Sequence, residues 1–263
     1  MSISQEQFQK TWRHDLSSQQ KKSRLDRAFL ILERAANRQL ALLNKIEKDD
    51  KIQKNIGYIY FFDTVKNFWS HAEFAYALGK GKNRKFCNFP ARLLMETVMR
   101  LEFYIRKSKK EQDDIAIKEM LRVCKRYYDR DKTEGRNPVE FRDYYVKLAV
   151  DGNYPDIDKA NPNINPFPDM KTLTENSKIN DASKWYFHFQ ALAESTHGKL
   201  FAIKMARLDD LREYIRSMMY VLLMCNKALL IVDKHIRGAS NSFILKAINE
   251  SEKVIKSPVS ITK

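Results

Sequence analysis

Two segments of this sequence carry side chains of the types that handle a phosphate and a proton. Arg92 and Glu96 stand one helical turn apart in PARLLMETVMRLEFYI, residues 90–105, so on a helix they share a face. Met99 and Phe103 continue that face, which directs the pair inward or into a cleft. Arg100 follows Glu96 by four positions and could share its carboxylate. His197 closes FQALAESTH, residues 189–197, with Gly198 placed to end the helix. A helix C-terminus favours the cationic imidazole. In an acid–base site the histidine would move a proton near neutral pH. Arg92 would hold an anionic group with its planar fork, and Glu96 would orient Arg92 or His197. Such groups, if the fold gathers them, would suit metal-independent cleavage of an RNA phosphodiester. The reading set against it is a buried Arg–Glu–His network that only fixes helix packing.

The R-x-x-x-E pattern of Arg92 and Glu96, a long loop, and then aromatic-x-x-L-small-E-x-x-H over Phe189–His197 resembles a large family of bacterial all-helical proteins of unknown function. The likeness covers residues 86–235. It implies a shared site of Arg92, Glu96 and His197. In that family the second motif usually reads Tyr-x-x-Leu-Ser. Phe189 and Ala193 stand here instead, so two hydroxyls are missing. A rival lies in KNFWSH, residues 66–71, which resembles the R-N-x-x-x-H signature of HEPN-type ribonucleases. That resemblance implies a composite RNA-cleaving site shared by two protomers, built here from Lys66, Asn67 and His71. Lys66 replaces the arginine and lacks its bidentate fork. The alternative is a polar seam, Asp63–Asn67–His71, on a continuous helix.

A second kind of chemistry is electrostatic. Lys118, Arg122, Arg126 and Arg130 recur every four residues and predict one positive helical face. Tyr127 and Tyr128 beside it offer stacking surfaces for bases. The loop GKGKNRK, 79–85, adds Lys82, Arg84 and Lys85. These are candidate phosphate contacts, independent of sequence and sensitive to salt. The competing reading is a solvated lysine-rich face that binds nothing specific.

The elements that position these residues read as helices. Leu25, Phe29, Leu32, Ala36, Leu40, Leu43 and Ile46 step by three and four, one stripe of a long helix over 17–46. Asp15 and Ser17 are its candidate caps. Its buried stripe makes it a candidate oligomerisation element. A second helix spans about 55–78. The third carries Pro90 in its first turn, where a missing N–H costs nothing. A fourth spans about 111–131. Pro138 interrupts the stretch 132–147, whose later part is a further helical candidate. DGNYPDIDKANPNINPFPD, 151–169, reads as a long loop, either a lid or a mobile insertion. A short helix at 170–177 leads to the histidine segment. Residues 209–236 read as another central helix, too interrupted by Arg, Asn and Lys to cross a membrane, and 240–256 as a last one. The expected fold is all-α: one bundle of roughly six to eight helices in a single domain over 1–263.

Bulk properties narrow the function classes. Only seven glycines and seven prolines in 263 residues favour long helices. A net charge of +15 points to an anionic partner, RNA or DNA first. Cys87, Cys124 and Cys225 are far apart and fit a reducing cytoplasm. The polar start, MSISQEQFQKTWRHD, does not read as a secretory signal. His14, His188 and His235 show no ligand spacing, and no metal or cofactor is expected. With no HExxH, glycine-rich phosphate loop or GxSxG, zinc hydrolase, P-loop ATPase and α/β-hydrolase readings are poor. Two expectations stand. One is a cytoplasmic nucleic-acid-binding protein, with metal-independent ribonuclease chemistry of a defence or toxin system as its enzymatic form. The other is a non-catalytic scaffold whose polar network is structural.

Overall fold

Side-chain caps decide where the helices begin. Ser17 Oγ accepts the Gln20 N–H (3.2 Å) while the Gln20 side-chain carbonyl accepts the Ser17 N–H (2.9 Å), a reciprocal box that starts α1 (Ser18–Glu47). Asn55 Oδ1 accepts the Tyr58 N–H and starts α2 (Ile56–Leu78). A 3₁₀ turn, Arg84–Cys87, runs directly into α3 (Asn88–Ile105). Ser108 and Glu111 form a second box that opens α4 (Lys109–Thr133), and Ser108 holds the Glu111 carboxyl down to about 2. Helices α5 (Met170–Glu175), α6 (Ala182–Glu194), α7 (Asp210–Arg237) and α8 (Ser242–Lys256) follow. Gly238, at φ +76°, ends α7 by donating its N–H to the Lys234 carbonyl (2.8 Å).

This computed structural model describes residues 16–49, 52, 55–133, 165–194, 210–238 and 241–256, with the side chains of 85, 121, 123–133, 192–194 and 210 excepted. Among the described residues there are eight α-helices and no strand, so the all-α fold holds. The second helical candidate after Pro138 and most of the 151–169 loop lie outside them.

Contacts gather the described residues into two compact units. The larger draws on Met1–Leu40, Lys66–Glu102 and Met170–Lys263. Its core includes Leu25, Phe29 and Leu32 from α1, Trp69 from α2, Met95 and Val98 from α3, and Met218, Leu222 and Val232 from α7, all buried. Phe29 stacks on Tyr76, ring centroids 4.8 Å apart. The 3₁₀ turn and α8 both lie against α7, and α5 lies against α6. Of the α1 stripe, Leu25, Phe29, Leu32, Ala36 and Leu43 are buried, and Leu40 and Ile46 half-buried.

By length and composition alone Leu211–Arg237 passes for a membrane span: an 18-residue window within it has a mean hydropathy of 1.6, and 78% of that window is buried inside the protein. The charged and polar residues that interrupt it are too few to lower its hydropathy below that of a span.

The smaller unit draws on Ala41–Val65 and Phe103–Asp169. Tyr104 donates its hydroxyl to the Gly57 carbonyl (2.8 Å), and the Tyr60 ring lies against Tyr104 and Phe167. Phe167 is 3% exposed, so the last residues of the 151–169 loop are anchored in an aromatic cluster.

Candidate functional site

Helix α3 is apolar on most of its circumference, and Ala91, Leu94, Met95, Val98, Met99, Leu101 and Tyr104 are all buried. Its charges therefore have to be accommodated at the edges of that core, and each has a distinct solution. Glu96 forms an ion pair with Arg100 at 2.6 Å, one turn along the helix and half-buried. The guanidinium carbon of Arg92 sits 5.1 Å from the centre of the Phe189 ring on α6, a cation–π contact. Glu102, 5% exposed, accepts the backbone N–H of Lys178 at 3.1 Å and so fastens the α5–α6 connection to α3. The motif segment on α6 thus meets the motif helix through its aromatic residue, Phe189. His197 lies outside the described residues.

Nine residues before that histidine, the structure brings out a different one. His188 Nδ1 is 2.7 Å from the Tyr220 hydroxyl on α7, with the two rings 5.2 Å apart. Burial, and then the nearby Arg216 cation, lower its pKa from 6.5, which favours the neutral imidazole. Sequence reasoning passed over His188 for want of ligand spacing. The available signal was its place in WYFHF, three positions after Trp185, which is buried on the same short helix.

The rival set lies on one continuous helix, α2. His71 Nδ1 is 2.7 Å from the Asn67 carbonyl, a hydrogen bond to its own helix that leaves Nε2 as the ring nitrogen free to face a ligand. Lys66 is half-buried and Asn67 exposed.

The basic residues divide into paired and open ones. Lys118 bonds Asp114 at 2.6 Å, and Arg122 bonds Glu119 at 2.7 Å and the Asn165 side-chain oxygen at 3.0 Å. The α4 stripe is therefore partly neutralised by acids of its own helix. The side chains of Arg126 and Arg130 lie outside the described residues, as does that of Lys85. Lys82 is exposed, while Arg84 donates to the Gly79 carbonyl at 3.1 Å and closes the turn between α2 and the 3₁₀ segment.

Other reactive groups are held quiet. Burial pushes the Cys87 and Cys225 thiols well up, so neither is a nucleophile in the folded protein. Lys227, 7% exposed on α7, has its pKa lowered by burial, opposed by Asp181 and Glu252. Among the described residues no group of three or more His, Cys, Asp or Glu is placed to hold a metal ion. Searches against family models, curated proteins and solved structures return no match to this chain.

Proposed function

We propose that this protein binds nucleic acid through phosphate contacts that read no sequence. The observation that carries the reading is the charge balance. With 48 lysines and arginines against 33 acids, pairing every acid would still leave fifteen cations over. The pairs of Lys118 with Asp114 and of Arg122 with Glu119 lie within α4 at spacings of four and three, and surface pairs of that kind contribute little. A phosphate can displace them. Lys118 and Arg122 on α4, and Lys82 in the loop after α2, are the described contacts we assign, with Arg126, Arg130, Arg84 and Lys85 completing the set. The enzymatic form of the same proposal is metal-independent RNA cleavage in a cytoplasmic defence or toxin system. In it His197 transfers the proton, Arg92 holds the phosphate and Glu96 orients them. The Lys66–Asn67–His71 set is the rival centre.

A second reading is favoured by the contacts of α3. Arg92 stacked on Phe189, Glu96 paired with Arg100, and Glu102 fastening the α5–α6 connection are arrangements that a scaffold with structural charges would have. One experiment separates the two. Labelled single- and double-stranded RNA and DNA are incubated without metal with wild-type protein, His197→Ala, His71→Ala and Lys118→Glu/Arg122→Glu. The expected result is retardation that weakens as salt rises. The slope should fall by roughly 0.7–0.9 for each phosphate contact removed. RNA cleavage lost only in His197→Ala would establish the enzymatic form. Absence of any retardation at low salt would leave the scaffold.

A further inference from the structure

A groove of about 480 Å³ opens between α1 and α8, lined by Ile31, Arg34, Asn37, Arg38, Phe243, Lys246, Ala247 and Glu250. Its walls follow from the amphipathic pattern of the two helices. Helix α8 buries Ile244, Ala247, Ile248, Ser251 and Ile255, and this leaves Lys246 and Glu250 at the rim. Helix α1 buries Leu32, Ala35, Ala36 and Gln39, and this leaves Arg34, Asn37 and Arg38 exposed on the side that meets α8. The two helices are tied beyond the groove by Arg24 Nη1, which donates to the Ile255 carbonyl at 3.2 Å. Gln39 on α1 donates to the Leu229 carbonyl of α7 at 3.0 Å and fixes the rotation of α1.

The charge in this groove is uneven. Three cations face one carboxylate. Glu250 reaches Lys246 only at 4.0 Å, the outer limit of an ion pair. No ion pair joins Arg34 or Arg38 to a carboxylate of the groove; outside it, the Glu33 carboxylate beside Arg34 in the sequence feels that cation. The Arg38 guanidinium lies 4.0 Å above the Phe243 ring, a stack that orients its N–H fork without consuming it. Arg34 and Arg38 are one turn apart, so both forks can close on one group.

We propose that this groove binds a phosphomonoester. Arg34 and Arg38 grip the phosphate dianion, Lys246 completes its charge from α8, and the organic part rests on Ile31, Phe243 and Ala247. The dianion matches the surplus of cations, and its oxygens match two planar forks better than they match point charges. The volume lies in the range of small-molecule sites, roughly 300–1,000 Å³. None of these residues belongs to the nucleic-acid set assigned above, so the two proposals stand or fall separately. The phosphate could belong to a free nucleotide or to the end of a nucleic-acid strand, and the test distinguishes them.

The full chain is titrated calorimetrically with adenosine 5′-monophosphate, with adenosine, and with 5′-phosphorylated and 5′-hydroxyl dinucleotides. Saturable binding of the two phosphorylated probes is expected, with adenosine and the 5′-hydroxyl dinucleotide at least about tenfold weaker. Preference for the mononucleotide over the phosphorylated dinucleotide assigns a free nucleotide, and the reverse assigns a strand end. Arg34→Gln and Arg38→Gln should each weaken phosphate binding about tenfold, the size of one charge-assisted hydrogen bond. Lys246→Gln weakens it independently through the other helix, should either arginine variant fail to fold. Lys118→Gln/Arg122→Gln should leave it unchanged while reducing retardation of long RNA. Phosphorylated probes that show no saturable binding at millimolar concentration overturn the proposal. So does an affinity that all three groove substitutions leave unaltered.

Discussion

Gly79 is a position where one methyl group should destabilise the larger unit. It ends α2, and its φ is not positive, so glycine is not required there by backbone conformation. The requirement is space. A Cβ at this position would lie 2.2 Å from Cζ of the Tyr214 ring on α7, far inside contact distance. Tyr214 cannot simply swing away, because it is fully buried and donates its hydroxyl to Asp26 on α1 at 2.8 Å. Lys22 supports the same carboxylate from one turn before. Forcing a methylene-sized group into a filled core costs about 1–3 kcal/mol. Breaking a hydrogen bond to a charged group costs about 1.5–3 kcal/mol more. Gly79→Ala should therefore lose about 3–5 kcal/mol, a large share of a domain stability of about 5–15 kcal/mol. The assay is urea denaturation followed by circular dichroism, with wild type, Gly79→Ala, Tyr214→Leu and the double variant. In the Tyr214→Leu background the ring tip is gone, and adding the Gly79 methyl should cost less than about 1 kcal/mol. A Gly79→Ala protein within about 0.5 kcal/mol of wild type would refute the reasoning, as would an equal loss in both backgrounds.

Three further outcomes follow from other contacts. Glu102→Ala removes a buried acceptor of the Lys178 N–H and should lower stability by about 1–3 kcal/mol in the same assay, with Glu102→Gln losing less. Burial, and then Glu73, raise the pKa of Glu33 above 4.5 against the opposing pull of Lys80 and Arg34. Its contribution to stability is then full below the unfolded value and is lost as pH rises through the raised folded value. Glu33→Gln should gain on wild type as pH rises above 4.5, and urea midpoints of the two proteins that run parallel with pH would contradict this. His188 has the opposite sign. Its folded pKa is depressed below 6.5, so its contribution is present above that value and is lost as pH falls through the lower one. The His188 ring resonance should titrate below 6.5, and a midpoint above it would show that the imidazole is not desolvated as described.

The periodic parts of this fold were legible. The 17–46 stripe is the buried face of α1, Ser17 is its cap, and Pro90 sits in the first turn of α3. Those features are local, because caps and apolar spacing act within a turn or two. The charges of α3 were recognised as needing partners, but the partners were only partly identifiable. Arg100 was in view for Glu96, since it lies on the same helix. Lys178 for Glu102 and Phe189 for Arg92 were not, because they depend on how α3 meets residues far along the chain. The neutralisation of Lys118 by Asp114 was within reach of the spacing rule and was overlooked in favour of the basic period. The α1–α8 groove was invisible for a different reason. Arg38 and Phe243 are more than two hundred positions apart, and nothing in either helix alone announces the other. His188 shows the limit most plainly: its nearest functional partner, Tyr220, is set by the rotation of α7.

Helix α7 combines the hydropathy of a membrane span with a place late in the chain. Its anchors, Asp26 and Gln39 on α1 and the 3₁₀ turn at Arg84–Cys87, are all translated before it. The surfaces that will shield it therefore leave the ribosome first, and among the described elements only α8 must still be added. Order of synthesis thus acts as a guard against misdirection and aggregation, since an uncovered apolar helix invites both. A circular permutant opened in the α5–α6 connection would reverse that order. It would keep every native contact of α7 available in the end state, yet send its most apolar segment out before its cover exists.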